Sequence, residues 1–347
     1  MSWLRQVELG PTFPPFALLQ ESLGFIPNLF RAQSLLPGVI EAEAQIAGVV
    51  LLKEVGLSRT RKESILLQVA AAHQNTYCVT AHYQMLRSLG IPERQLDQMM
   101  IDHHGGGIPE SDGALLDFAL KLARQATSIS REDVEALRAY KWTDLQILEA
   151  VLMTALTNFL CTLSEGLDAT PDFEPRKIPA LGGGAALRGP GVSSAHSHEG
   201  AGPYLQAVDL SPETFAPFAF FKKRFGFVPN IFRAQTLRPD VLEAEANMVG
   251  TVLLSEDILS RVQKECILLV ISAANLNTYC VAVHCEMLRA LGVSPDESDQ
   301  IALDHHHAPL SAADKVLLDF ALKLATQTPW AYELQPEGKP SRTKRCT

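Results

Sequence analysis

The sequence predicts an all-α protein made of two tandem helical domains, the second truncated at its C-terminus. Three observations carry this. The stretch Glu63–His82, ESILLQVAAAHQNTYCVTAH, returns as Glu265–His284, ECILLVISAANLNTYCVAVH, and 17 of 28 residues are identical across Glu63–Gly90 and Glu265–Gly292. Apolar residues recur at helical spacing, and no convincing strand or hairpin pattern appears. The copies correspond at a constant offset of 202, from Gly24 and Gly226 to Ala123 and Ala325. There the correspondence stops: copy one continues through Thr127–Leu167, whereas copy two offers TQTPWAYELQPEGKPSRTKRCT, whose three prolines disfavour further helices.

Copy one opens on the Pro-rich Pro11–Pro15, a short helix at Phe16–Leu23 and a turn at Gly24–Asn28. A brief helix at Leu29–Leu36 ends at Pro37, and Val39–Glu54 reads as one longer helix. Ser58 caps a helix that carries Glu63 inward through Ile65, Leu66, Val69 and Ala70. Asn75 breaks it and caps the next, which runs to Gly90, because asparagine competes with helical hydrogen bonding and favours the N-cap. Pro92 starts a helix through Leu96 and Met100, and the loop Asp102–Pro109 leads to another at Gly113–Gln125. Ser130 caps Arg131–Ala139, and Thr143 caps Asp144–Gly166, with Ile147, Val151, Leu152, Ala155, Leu156, Phe159 and Leu160 as its apolar stripe. The expected domains are residues 1–170 and 205–330, joined by a Gly/Pro/Ser-rich linker at 171–204 and followed by an irregular tail at 331–347.

Apolar residues make up 47% of the 347 residues and charged ones 20%, the balance of a globular protein. A net charge of −9 without a long basic stripe argues against nucleic acid as a partner. No stretch reaches ~18 charge-free apolar residues and the N-terminus has no apolar signal core, so no membrane association is expected and the cytoplasm is the expected place. The six cysteines follow no extracellular framework spacing and read as free or reactive thiols.

The repeated segment keeps three proton-active side chains in one register: Glu63, Cys78 and His82, then Glu265, Cys280 and His284. Cys78 falls in the first turn of its helix, where free N–H groups and the helix dipole favour a thiolate. His82 lies one turn further on the same face. An isolated Cys-x3-His pair on a half-buried helix is ordinarily a packing feature. Repetition tells against that reading, since apolar neighbours vary (Val69 against Ile271, Ala70 against Ser272) while Asn75-Thr76-Tyr77-Cys78 returns unchanged as Asn277-Thr278-Tyr279-Cys280.

The segment resembles the alkylhydroperoxidase D and carboxymuconolactone decarboxylase superfamily, in particular its peroxidase-related members, whose motif is Glu, eleven residues, Cys-x-x-Cys, three residues, His. LGFIPNLFRAQ and FGFVPNIFRAQ are similar to the entry segment of that family, and LLDFALKLA, present in both copies, to a downstream helix. The first motif cysteine is replaced by Asn75 and Asn277, so the local resolving partner is lost. The resemblance implies a thiol-dependent peroxidase of the peroxiredoxin type with a hydroperoxide substrate, no cofactor and an external thiol reductant. Cys78 and Cys280 would be nucleophiles in a one-cysteine mechanism, His82 and His284 proton relays, Glu63 and Glu265 orienters, with Asn75, Tyr77, Asn277 and Tyr279 in support. Reduction would come from that external thiol or a distant cysteine. It also implies a homo-oligomer or an internal pseudo-dimer. A carboxymuconolactone decarboxylase-type proton-transfer enzyme and a non-catalytic helical assembly protein are the alternatives. The histidines His103, His104 and His305–His307 read as solvated loops, with no metal expected, and the Gly105–Gly107 run opens no phosphate-binding helix.

Overall fold

A computed structural model describes residues 4–10, 12–178 and 204–326. Most of the expected linker and the whole tail 331–347, with Cys346, lie outside the described residues. Among the described residues there are sixteen α-helices and no strand. They fall into two compact units that divide between Met248 and Val249.

The first unit holds α1 (Pro14–Leu23), α2 (Asn28–Ala32), α3 (Pro37–Ala47), α4 (Arg59–Ala72), α5 (Thr76–Ser88), α6 (Glu93–Ile101), α7 (Glu110–Gln125), α8 (Arg131–Ala139), α9 (Asp144–Leu167), α10 (Ala216–Phe225), α11 (Asn230–Arg233) and α12 (Pro239–Met248). At its centre stands α4, buried on every side along Ile65–Ala72 and packed on α5, α7 and α9. Instead of running on to Glu54, α3 widens into a π-helical turn, Gly48–Leu52. The turn leaves carbonyls without helical partners, and the buried Lys62 ammonium donates to two of them, Val50 O (2.8 Å) and Lys53 O (2.6 Å).

The buried face of α9 is rotated from the expected stripe: Ile147, Leu148, Ala150, Met153 and Cys161 are inside, whereas Ala155 and Phe159 are exposed. Thr154 and Thr157 belong to that inner face because their hydroxyls donate to Ala150 O (2.8 Å) and Met153 O (2.7 Å), which removes the cost of burying them. By length and composition α9 would also suit a membrane, with a mean hydropathy of 1.6 over its best window. Most of that window is packed within the protein, and Glu149 and Glu165 interrupt it.

The boundary at residue 248 departs from the one expected at 171–204. Helices α10–α12 belong to copy two by sequence, yet α12 packs on α3, and Val241 enters the core of copy one. The strongest tie is Arg238, 1% exposed, which pairs with Glu149 of α9 and donates to Val49 O (2.6 Å). Glu149 also accepts from the Gly56 and Leu57 amides, at 3.1 and 2.5 Å, and lies 3.6 Å from Lys62. Nearby, Asn247 donates to Gln45 (2.9 Å), a contact between residues 202 positions apart and therefore between equivalents.

The second unit holds a π-helical turn, Val249–Leu253, followed by α13 (Arg261–Ala274), α14 (Thr278–Ala290), α15 (Pro295–Asp304) and α16 (Ala312–Thr326), with α13 packed on the other three helices. No counterpart of α9 exists among its described residues. The cost is visible in one pair: Phe118 of α7 is 6% exposed, while its equivalent Phe320 on α16 is 58% exposed.

Candidate active site

Glu63 sits in the interior because α4 is buried on every side. The helix ends at His73, the chain turns through Gln74 in the left-handed region (φ 55°), and α5 begins at once. The Asn75 Oδ1 caps α5 by accepting from the Cys78 N–H at 2.8 Å. Cys78 is thus held in the first turn, and His82 follows one turn later. All three side chains meet. Glu63 Oε2 accepts from His82 Nδ1 at 2.7 Å, which leaves Nε2 for the hydrogen bond that His82 makes with the Cys78 thiol.

The other Glu63 oxygen is held by Arg59, one turn earlier on α4, at 2.8 Å from Nε and 2.6 Å from Nη2. Burial would push this carboxyl up, but the charges and hydrogen bonds of His82 and Arg59 outweigh it and keep Glu63 ionised. For His82, burial is again the largest influence and favours the neutral ring. The Glu63 charge and the bonds to Cys78 and Glu63 overcome it and lift the imidazolium to about 9.

Cys78, 2% exposed, is drawn down to about 6. The largest cause is a hydrogen bond from the Cys161 thiol. Burial opposes it, and the bond and charge of His82 and a bond from Ser164 add to it. Cys161 and Ser164 both come from α9. The Ser164 hydroxyl lies 4.0 Å from the Cys78 sulfur and donates to Cys161 O at 3.0 Å. Asn75 ties the helices together: its Nδ2 donates to Cys161 O (3.2 Å), Ser164 Oγ (2.9 Å) and Glu165 Oε1 (2.9 Å). The amide of Asn75 is therefore committed to α9 and is not free for a substrate.

Tyr77 acts as a strut. Its hydroxyl donates to Asp172 (2.7 Å) and accepts from the Leu29 N–H (3.1 Å), which holds α2 and the segment after α9 against α5.

Copy two reproduces the relay. Glu265 pairs with Arg261 and with His284 Nδ1 at 2.7 Å, and Asn277 caps the Cys280 N–H at 3.0 Å. The thiol differs. Cys280 is half-buried, and burial pushes it above the ordinary value, only partly offset by a hydrogen bond from Ser272. Tyr279 is exposed. Of the remaining cysteines Cys161 and Cys266 are free thiols, as expected, but Cys285 is disulfide-bonded.

The expectation of solvated histidine loops needs correcting. The 3-10 turn His103–Gly106 aims both rings at Asp117, His103 Nε2 on Oδ1 and His104 Nε2 on Oδ2, each at 3.0 Å. His305 and His306 converge on Asp319 in the same way. In each cluster the three ligand-type atoms lie within 4.8 Å of one another. The aspartate fourteen residues after the first histidine, repeated in both copies, was the signal.

Sequence reasoning also missed Arg59 and Arg261, although both stand four residues before the relay glutamate. It had no means of finding Cys161 or Ser164, which approach only through the packing of α9 on α5 and have no counterpart among the described residues of copy two.

The tandem helical repeat that carries this site is matched twice by one family model. The chain belongs to the carboxymuconolactone decarboxylase family, whose model matches residues 37–125 and 239–323. Two similar solved structures are the alkylhydroperoxidase AhpD core of an uncharacterized peroxidase-related protein from Ralstonia eutropha JMP134 (27% identity, 49% of this chain and 92% of that one, TM-score 0.46) and an uncharacterized peroxidase-related protein from Silicibacter sp. TM1040 (23%, 49% and 92%, TM-score 0.46). A third is a cysteine-to-alanine variant of the debrominase Bmp8 with 2,3,4-tribromopyrrole (17%, 52% and 95%, TM-score 0.42). A search of the curated proteins found no match.

Asn75 and Asn277 offer a comparison within one chain. Asn277→Ala should cost about 1 kcal/mol, the value of a helix cap. Asn75→Ala should cost about 2 kcal/mol or more, because it also strands the polar groups of α9, and it should raise the Cys78 pKa. Chemical denaturation with ultraviolet thiolate titration measures both; equal costs would show that the tie to α9 contributes nothing.

Proposed function

We propose that copy one reduces hydroperoxides at Cys78. The observation that carries this reading is the continuous chain Arg59–Glu63–His82–Cys78, in which Arg59 holds one Glu63 oxygen at 2.8 Å and the other holds the His82 ring at 2.7 Å. A thiolate there attacks the terminal peroxide oxygen and becomes a sulfenic acid, while the His82 imidazolium gives its proton to the departing alkoxide or hydroxide. Glu63 stays ionised throughout and holds the ring, the role of an orienter rather than of a base. That speaks against the decarboxylase-type alternative, in which the carboxylate would have to be free to move a proton: both Glu63 oxygens are occupied.

Copy two has the relay without the activated thiol, so its contribution to turnover is minor. An external thiol closes the cycle, which suits a reducing compartment such as the cytoplasm. The contact of α3 with α12 through the equivalents Gln45 and Asn247 supports an internal pseudo-dimer as the assembly unit.

The test is differential alkylation with mass spectrometry after sub-stoichiometric peroxide. Cys78 should lose its free thiol in preference to Cys280 and Cys266. Retention of a free Cys78 thiol with no loss of peroxide would leave a proton-transfer or non-catalytic role instead.

A further inference from the structure

Cys78 has a neighbour that the proton relay does not require. We propose that Cys161 is the resolving cysteine of copy one, closing an intramolecular disulfide with the oxidised Cys78, which an external dithiol then reduces. This deepens the peroxide-reducing reading above and rests on it.

The arrangement is built from both helices. Cys161 lies on the inner face of α9, buried in the same core cluster as Cys78, and the Asn75 and Ser164 side chains each contact both residues. The two backbones are held in register by one side chain, since Asn75 accepts from the Cys78 N–H (2.8 Å) and donates to the Cys161 carbonyl (3.2 Å). Ser164, bonded to that same carbonyl (3.0 Å), lies beside the Cys78 sulfur. To join, the two sulfurs must approach to about 2.05 Å, and rotation about the side-chain bonds of the two residues is the movement that brings them there.

The two thiols are also unlike in the way the chemistry needs. Burial and the neighbouring Cys78 hold Cys161 well above the ordinary thiol value, so it remains S–H while Cys78 is S⁻. Only Cys78 then competes for peroxide. The first step takes R–O–O–H and Cys78–S⁻ to Cys78–S–OH and R–O⁻; the alkoxide takes a proton from His82 and leaves as R–OH. In the second, the Cys161 sulfur attacks the Cys78 sulfur, the S–O bond breaks, and the hydroxide leaves as water with the Cys161 proton. A dithiol restores both thiols and is itself oxidised to a disulfide. The family motif places a partner cysteine three residues before Cys78, where this chain has Asn75. The partner arrives instead from α9, and the asparagine is the residue that holds it there.

The experiment uses the full-length reduced chain, treated with one equivalent of hydrogen peroxide, alkylated and digested. A peptide cross-linked through Cys78 and Cys161 should be the main oxidised product by mass spectrometry. In Cys161→Ser, and in Cys161→Ala as a second choice, a cyclic 1,3-dione should trap Cys78 as sulfenic acid, and turnover with a dithiol reductant should fall at least about tenfold. Dione-labelled Cys78 in the unmutated chain with Cys161 still alkylated, or a disulfide from Cys78 to another cysteine, would overturn the resolving role while leaving the peroxide-reducing reading intact. An unoxidised Cys78 would overturn both. The measurement on the unmutated chain does not depend on either variant folding.

Discussion

Cys78→Ser should abolish peroxide turnover, lowering it on the order of 10³-fold or more, the scale seen when a nucleophile is removed from a site whose other members remain. Cys280→Ser should leave most of it, because the Cys280 thiol is pushed up by burial and is protonated at neutral pH. The same groups set the pH dependence. Cys78 is depressed from the ordinary 9.0 to about 6, so its contribution to stability is full above 9.0 and is lost as pH falls through about 6. His82 is raised from 6.5 to about 9, so its contribution is full below 6.5 and is lost as pH rises through about 9. Thiolate and imidazolium coexist between those limits. Turnover should therefore form a plateau from about pH 6 to about pH 9, and His82→Gln should move the acidic limb upward. A steady-state pH profile decides it, and a single limb near the free-thiol value would show that the relay leaves the sulfur unactivated.

The second large effect is on stability. Arg238→Ala leaves the buried Glu149 with Lys62 as its one cationic partner beside the Gly56 and Leu57 amides, and breaking a buried pair from one side costs about 3–5 kcal/mol. For a unit of this size that corresponds to roughly 6–20 °C in the melting midpoint. Arg238→Ala combined with Glu149→Gln should recover part of the loss, since the uncompensated charge is then gone. Calorimetry on the two variants measures this. A single-variant shift below about 2 °C would mean that α10–α12 are held by apolar contacts alone.

Much of this was legible in the sequence. The capping residues Ser58, Asn75, Ser130 and Thr143 stand where a side-chain oxygen has a free N–H to accept, and the helices start there. Glu63, Cys78 and His82 could be grouped because repetition marked them. What could not be read was tertiary. The activation of Cys78 was credited to the helix terminus, whereas its largest cause is a thiol 83 residues further on. The inner face of α9 was misjudged because a threonine bonded to its own helix packs like an apolar residue. Helices α10–α12 were assigned with their sequence copy, yet they pack in the first unit, tied by the buried Arg238, where copy one has the exposed Leu36, together with Val241 and the face of α12 on α3.

The bond between Gln45 and Asn247 joins two positions that are one position in the ancestral repeat. Where two identical chains meet about a twofold axis, every substitution is made on both sides at once, and a change useful to one side must be tolerated by the other. In a fused chain that constraint is lifted. Each side mutates separately, and the meeting no longer depends on how dilute the protein is. Arg238, where copy one has Leu36, and a Cys78 thiol drawn down where that of Cys280 is pushed up, are asymmetries that such a covalent pair can hold.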